Sequence, residues 1–223
     1  MFIAELFYSI QGEGSLVGVP SVFIRTSGCN LRCLWCDTPY TSWKPEGRHL
    51  TVDDILEYAR EHSTGFTVIT GGEPMMAPEI GTLTAGLRRL GEHITIETAG
   101  TIHRPVACDL MSISPKLSNS TPVGEWRERH ESTRTNLTAI RRLMNEYAYQ
   151  LKFVVAKPAD LEEIAVLVKE ISAPASQVLL MPEGTDTATL NERSVWIAEA
   201  CKRYGYRFSP RLHVQLYGNR RGV

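Results

Sequence analysis

Ser21-Val-Phe-Ile-Arg-Thr-Ser-Gly-Cys29-Asn-Leu-Arg-Cys33-Leu-Trp-Cys36 joins a short β-branched run to a loop that carries three cysteines in eight residues. The run Ser21 to Arg25 reads as a strand. The same kind of run returns at Thr67 to Thr70, Ile94 to Glu97, Leu110 to Ser114, Leu151 to Val155 and Val178 to Met181. Between these runs lie amphipathic helical stretches. Thr51 with Asp54 forms a capping pair ahead of Val52, Ile55, Leu56 and Ala59, which share one face. Asp160 with Glu163 precedes the stripe Ile164, Leu167, Val168 and Ile171, and a third helix runs from about Thr189 to a stop at Gly205. Residues 78–90 and 135–147 add two more. This alternation predicts an α/β fold with parallel strands and outer helices. A complete eight-unit barrel takes about 250 residues. The chain has 223, so the expectation is one domain over residues 1–223, a partial (β/α)6 TIM-like barrel. An extended tail, Arg207 to Leu216, is expected to close it. The polar stretch Leu117 to Arg134 reads either as a mobile segment over the site or as simple disorder.

The composition narrows the partners. Lys plus Arg is 24 and Asp plus Glu is 25, a net charge of −1. Nucleic-acid and membrane-surface binders usually carry a basic bias, so neither is expected. No apolar run approaches the ~18 residues of a membrane span. The start Met-Phe-Ile-Ala-Glu-Leu lacks the pattern of a secretory signal, which points to the cytoplasm.

Five cysteines, an odd number, do not make a secreted disulfide framework. Cys29, Cys33 and Cys36 at CxxxCxxC spacing can converge on one inorganic centre. Four thiolates would saturate a cubane or close a zinc site, whereas three leave one position open. The competing reading is a structural zinc knuckle in a binding module, completed by a His or another Cys. Cys108 and Cys201 have no ligand-spaced partner and read as small buried hydrophobes. His49, His62, His93, His103 and His130 read as solvated.

With its aromatic Trp35 before the last cysteine, the loop resembles the cluster motif of the radical S-adenosylmethionine (SAM) superfamily. Thr70-Gly71-Gly72-Glu73-Pro74 resembles that superfamily's GGEP turn. Ser9-Ile10-Gln11-Gly12-Glu13-Gly14, Phe23-Ile24-Arg25, Cys36-Asp37-Thr38, Ile96-Glu97-Thr98, Ser114-Pro115-Lys116 and Leu212-His213 carry a finer resemblance, to the 7-carboxy-7-deazaguanine synthase family. It covers most of the chain from Glu5 onward, outside Leu117–Arg134. The resemblance implies a radical SAM lyase of 7-deazapurine and queuosine biosynthesis. Such an enzyme contracts the ring of 6-carboxy-5,6,7,8-tetrahydropterin, giving 7-carboxy-7-deazaguanine and ammonia. A [4Fe-4S] cluster, SAM and Mg²⁺ are the implied cofactors. A flavodoxin- or ferredoxin-type electron donor and a homodimer are the implied partners. A glycyl-radical activase is the rival within the superfamily, and the Ser9–Gly14 segment weighs against it.

The resemblance also assigns residues. Cys29, Cys33 and Cys36 would hold the cluster and Thr38 the Mg²⁺, although Thr38 is equally a turn residue before Pro39. Substrate would meet Ile10, Gln11, Gly12, Glu13, Arg25, Thr70 and His213. Arg25 can clamp a carboxylate or make an ion pair, and His213 can touch substrate or serve the structure. SAM would meet Trp35, Gly71, Gly72, Glu73, Ser114, Pro115, Lys116, Met181 and Glu183. Glu97 can bond ribose hydroxyls, hold the GGEP turn or form a structural ion pair. No catalytic side chain is implied beyond the cluster and SAM. The CxxxCxxC loop, the GGEP turn, Glu97-Thr98, Ser114-Pro115-Lys116 and Met181-Pro182-Glu183-Gly184 sit at or just after the ends of expected strands, which in a parallel barrel open on one face.

Overall fold

The computed structural model describes residues 1–223. Nine strands form a single sheet: β1 (Phe2–Ile10), β2 (Pro20–Thr26), β3 (Arg48–His49), β4 (Phe66–Gly71), β5 (His93–Thr98), β6 (Leu110–Ile113), β7 (Tyr149–Val155), β8 (Val178–Pro182) and β9 (Arg207–Phe208). Their order is β3-β1-β2-β4-β5-β6-β7-β8-β9. From β2 through β9 every neighbouring pair is parallel, while β1 runs antiparallel to both β2 and β3. The edge strands β3 and β9 do not pair with each other, so the barrel is open. All six expected parallel strands are present. The antiparallel edge made by β1 is an addition that apolar runs did not reveal.

Strands β2 and β4 to β8 alternate between two environments. Val22, Ile24, Ile69, Ile94, Ile96, Met111, Ile113, Leu151, Phe153, Val155, Val178 and Leu180 belong to one large apolar core. The helices pack there: α2 (Val52–His62) through Ile55 and Ala59, α3 (Ile80–Arg89) through Leu83 and Leu87, and further along α5, α6 and α7 (Leu137–Glu146, Asp160–Glu170, Thr187–Tyr204). Thr51 and Asp54 bond reciprocally in a capping box on α2. On α7, Asp186 caps the start and left-handed Gly205 (φ +69°) ends the helix. The in-between residues of the same strands face the other way, with Thr70, Glu97, Ser112, Lys152 and Met181 lining a cavity. Period two therefore sends one set of side chains into the helix layer and the other into the barrel.

Several local expectations are corrected. The tail is extended only over Arg207–Phe208. Leu212–Tyr217 forms a short helix, α8, whose Val214 is buried. Asp160 is the first residue of α6 rather than its cap. Its carboxylate turns back to accept from Ala156 N–H and Lys157 N–H at 2.8 and 3.0 Å. The Leu117–Arg134 stretch is ordered, with a 3-10 turn at Ser118–Ser120 and helix α4 over Arg127–Thr133, and its His130 is 1% exposed rather than solvated. His93 is not free in solvent either, since its buried Nδ1 has no partner. Cys201 lies in the large core and Cys108 packs against it, as expected. No helix is long and apolar enough to cross a membrane.

The open side of the barrel is bridged by the segment after β1. Leu212 N–H donates to Gly12 O at 2.9 Å, Gly14 N–H to Ser209 Oγ at 2.8 Å, and Ser15 N–H to Gln150 Oε1 of β7 at 2.9 Å. Gly12 permits this contact. A Cβ there would lie 2.0 Å from His213 Nδ1 and 2.9 Å from His213 N. Gly12→Ala is expected to lift α8 off the bridge at a cost of about 1–3 kcal/mol. Hydrogen exchange should accelerate over residues 209–217 and not in β4 or β5. Uniform exchange across the chain would show that the close approach is not what holds the tail.

Candidate active site

One cavity of about 440 Å³ lies at the carboxyl ends of the parallel strands. That size suits a small molecule and a cofactor rather than a macromolecule. Its wall takes Cys29, Cys33 and Cys36 from the loop after β2 and Thr70, Gly71 and Gly72 from the end of β4. It takes Glu97 from β5, Ser114 and Lys116 from beyond β6, Lys152 from β7 and Met181 from β8. Ile10, Gln11, Gly12 and Glu13 close it on one side, with Arg25, Trp35, Thr38 and His213 also on the wall. Three expected contacts do not line it. Glu183 pairs with Arg193, Pro115 stays off the wall, and Glu73 is buried behind it.

Glu73 nevertheless shapes the wall. Its carboxylate accepts from Thr98 Oγ1 at 2.7 Å, Ala99 N–H at 2.9 Å and Met75 N–H at 3.1 Å. Burial still leaves its carboxyl above the usual range. The GGEP turn is thus tied to the end of β5 and packed onto the start of the cysteine loop. Gly72 N–H meets Thr26 O at 3.2 Å and Glu73 N–H meets Gly28 O at 2.9 Å. Gly71 has φ +132°, and a Cβ on either glycine would come within 2.1 Å of a carbonyl oxygen of Thr26 or Gly28. Glycine is therefore required at both positions for the two loops to meet.

The three cysteines share the cavity wall, where Cys29 and Cys36 pack against the buried cluster of Leu31, Cys33 and Ala99. Three thiols beside a cavity are the donor set of an iron–sulfur cluster that keeps one position free, and they fall one short of the four ligands of a closed zinc site. Burial pushes the Cys29 thiol up to about 12 and the Cys33 thiol to about 11. Binding a metal cluster would therefore release protons from both. Ser42 Oγ lies 3.3 Å from Cys36 Sγ, and Thr38 Oγ1 lies 3.9 Å from it.

The opposite chemistry gathers around Glu13. Its carboxylate pairs with Lys152 Nζ, meets Arg211 Nε at 3.3 Å, and stands 4.0 Å from His213 Nε2. Burial alone would raise the Glu13 carboxyl. The surrounding Lys152, Arg211 and His213 outweigh that and hold it well below the ordinary carboxylate range. Arg211 likewise overcomes burial to hold Asp37 low. Burial lowers His213, so its ring favours the neutral form. Glu97 accepts from Thr70 Oγ1 at 2.8 Å and Gln11 Nε2 at 3.3 Å, with Lys152 Nζ at 3.5 Å. It thus belongs with Glu13 and Thr70 and not with the GGEP turn, which Glu73 holds. Arg25 makes the ion pair of one reading and lines the cavity where the other would place it. Its Nε is bonded to Glu5 at 2.8 Å, while its terminal nitrogens have no protein partner and the side chain faces the cavity.

Lys152, Arg211 and Asp37 were missed as site residues. Lys152 had a local signal, a lone cation inside the apolar run Leu-Lys-Phe-Val-Val, where an unpaired charge is too costly to bury. Arg211 and Asp37, 174 positions apart, had none.

Residues 23–146 match the family model described as the radical SAM superfamily. A 7-carboxy-7-deazaguanine synthase of Halobacterium salinarum is 45% identical, over 97% of this chain and 90% of that one. A protein of the same name from Rhodopirellula baltica is 43% identical, over 100% and 89%. The crystal structure of QueE from Escherichia coli superposes with a TM-score of 0.72 at 26% identity, covering 95% of this chain and 94% of that one. Streptococcus suis SuiB shares the fold alone, with a TM-score of 0.59 at 15% identity. The cysteine wall, the GGEP turn buttressed by Glu73 and the charged pocket around Glu13 are thus those of a radical SAM protein, and the chain belongs to the 7-carboxy-7-deazaguanine synthase family.

Proposed function

We propose that the chain converts 6-carboxy-5,6,7,8-tetrahydropterin to 7-carboxy-7-deazaguanine with loss of ammonia, as a radical SAM lyase of 7-deazapurine synthesis. The observation that carries this reading is that the cysteine wall and an ionised, hydrogen-bonding pocket share one small cavity. A binding module would not need both, and an activase would need a mouth open to a protein. When bound, the [4Fe-4S] cluster and SAM supply the one-electron chemistry that starts the reaction.

The protein's own residues do the rest. Cys29, Cys33 and Cys36 would hold the cluster at the cavity wall. The backbone of Gly71 and Gly72, with Trp35, Ser114, Lys116 and Met181, forms the SAM face. Glu13, kept ionised by Lys152 and Arg211, accepts from the amino and ring N–H donors of the pterin. Gly12 and Ile10 lie against its flat face. Arg25, braced by Glu5, turns its free nitrogens to the substrate carboxylate. Thr70 and Glu97 meet the ring from the strand side, with His213 over the segment after β1. Mg²⁺ would sit at Thr38, a weak neutral ligand suited to an ion that keeps water and takes substrate oxygens. We further propose one catalytic domain acting as a cytoplasmic homodimer that draws electrons from a flavodoxin- or ferredoxin-type protein.

The direct test is anaerobic incubation with SAM, dithionite, Mg²⁺ and the carboxypterin, followed by the deazaguanine absorbance. No product from iron-loaded protein would reject the assignment. Cys33→Ala should lose the brown absorbance and SAM cleavage together, and retained SAM cleavage would remove this loop from the cluster. With Arg25→Ala we expect an intact cluster and a fall in kcat/KM of about 100-fold, the scale of a lost charge-assisted pair. Unchanged kinetics would place Arg25 outside the substrate contacts. Lys152→Met removes the cation that helps hold Glu13 low, so the Glu13 pKa should rise toward neutrality. Turnover should then gain an acidic limb, falling as the pH drops through the raised value, where the parent stays flat. Identical pH profiles would mean Lys152 does not set the charge on Glu13.

A further inference from the structure

The cysteine loop has almost no structure of its own. Between Cys29 and Cys36 the only internal backbone bond is Cys36 N–H to Cys33 O, at 3.3 Å. Trp43 Nε1–H donates to Cys33 O at 3.0 Å and Asn30 Nδ2 to Thr101 Oγ1 at 3.0 Å, and the remaining backbone support comes from the Leu117–Arg134 segment. His130 Nδ1 accepts from Arg32 N–H at 3.1 Å, and Ser120 O accepts from Leu34 N–H at 2.8 Å. Trp35 Nε1–H donates to Asn119 O at 3.0 Å. These contacts alternate with the cysteines: Arg32 lies between Cys29 and Cys33, and Leu34 and Trp35 lie between Cys33 and Cys36. The Arg32 guanidinium lies over the Trp126 ring, 4.5 Å from its centroid, and donates to Cys29 O and Leu31 O at 2.7 and 2.8 Å.

The segment is itself anchored to α6. Glu163 accepts from Ser118 N–H at 2.9 Å and pairs with Arg134 at 2.8 Å, and Asp160 accepts from Asn119 Nδ2 at 2.8 Å. His130 is buried, and both ring nitrogens are used in one direction. Because Nδ1 accepts from Arg32, Nε2 carries the proton and donates to Ser120 Oγ at 2.9 Å, which donates on to Leu117 O at 2.6 Å. Burial favours the neutral ring that this chain of bonds requires.

We propose that the Leu117–Arg134 segment preorganises the cysteine loop before any cluster is present, and that His130 is its central positioning residue, holding the Arg32 N–H between the first two cysteines. A loop held in place spends less ordering entropy when it captures an inorganic group and releases that group more slowly. The consequence for the cluster rests on the radical SAM reading of the loop. The consequence for the metal-free loop does not.

The test compares His130→Leu with His130→Asn in the full chain. Asn can offer its oxygen where Nδ1 stands, whereas Leu leaves the Arg32 N–H buried without an acceptor. In metal-free protein, amide exchange over residues 29–36 should rise about tenfold for His130→Leu and stay near the parent for His130→Asn. After anaerobic loading, chelator-driven loss of iron should accelerate by a similar factor in the Leu variant alone. If His130→Leu does not fold, His130→Gln replaces it, since its longer side chain reaches Ser120 without presenting an acceptor at the Nδ1 position. Parent-like loop exchange in the Leu or Gln variant would overturn the proposal, as would an Asn variant as loose as Leu. Faster exchange in a protein whose parent also binds no iron would support the brace and sink the cluster reading instead.

Discussion

The molecule depends on one constraint, the two-residue period of its parallel strands. Each strand must present one face to the helices and the other to the barrel interior. On β7, Leu151, Phe153 and Val155 enter the large apolar core, while Lys152 and Val154 line the cavity. The apolar face drives burial, at roughly 25 cal/mol per Å², and thereby forces Lys152 inward. A buried ammonium is tolerable only with partners, and Glu13 and Glu97 supply them. The position of the charged pocket is therefore a consequence of how the core packs.

The same constraint explains how an open barrel keeps a walled cavity. Between β3 and β9 there is no strand pairing to complete the ring. The gap is filled by backbone and side-chain bonds between the segment after β1 and the tail after β9. These two segments also carry Glu13, Arg211 and His213, so the closure and the charged pocket are made of the same residues. Closing the barrel and fixing the charge on Glu13 are one structural event.

Much of the catalytic face was legible from spacing. Three cysteines at CxxxCxxC and a Gly-Gly-Glu-Pro turn are short-range patterns, and their positions after strand ends place them on one face of a parallel barrel. Within those motifs the individual roles were less legible. Glu73 reads as a cofactor contact, but its carboxylate is spent on Thr98, Ala99 and Met75. Glu97 reads as a partner of ribose, of that turn or of a structural ion pair, and it bonds Thr70 and Gln11 with Lys152 Nζ 3.5 Å away. Two carboxylates near strand ends look alike in sequence, and only the inward or backward direction of each side chain separates them.

By itself the sequence determined the order of the six parallel strands and their main helices, the cysteine loop and the glycine turn, because each depends on residues within a few positions of one another. The tertiary structure alone decided the pairing of Lys152 with Glu13, 139 positions apart, and of Arg211 with Asp37, 174 apart. It also decided that a polar stretch read as mobile or disordered would brace the cysteine loop through His130. Such partners are chosen by the desolvation cost of leaving a charge or a backbone N–H unpaired inside the fold. That cost arises only where the chain has already brought distant segments together.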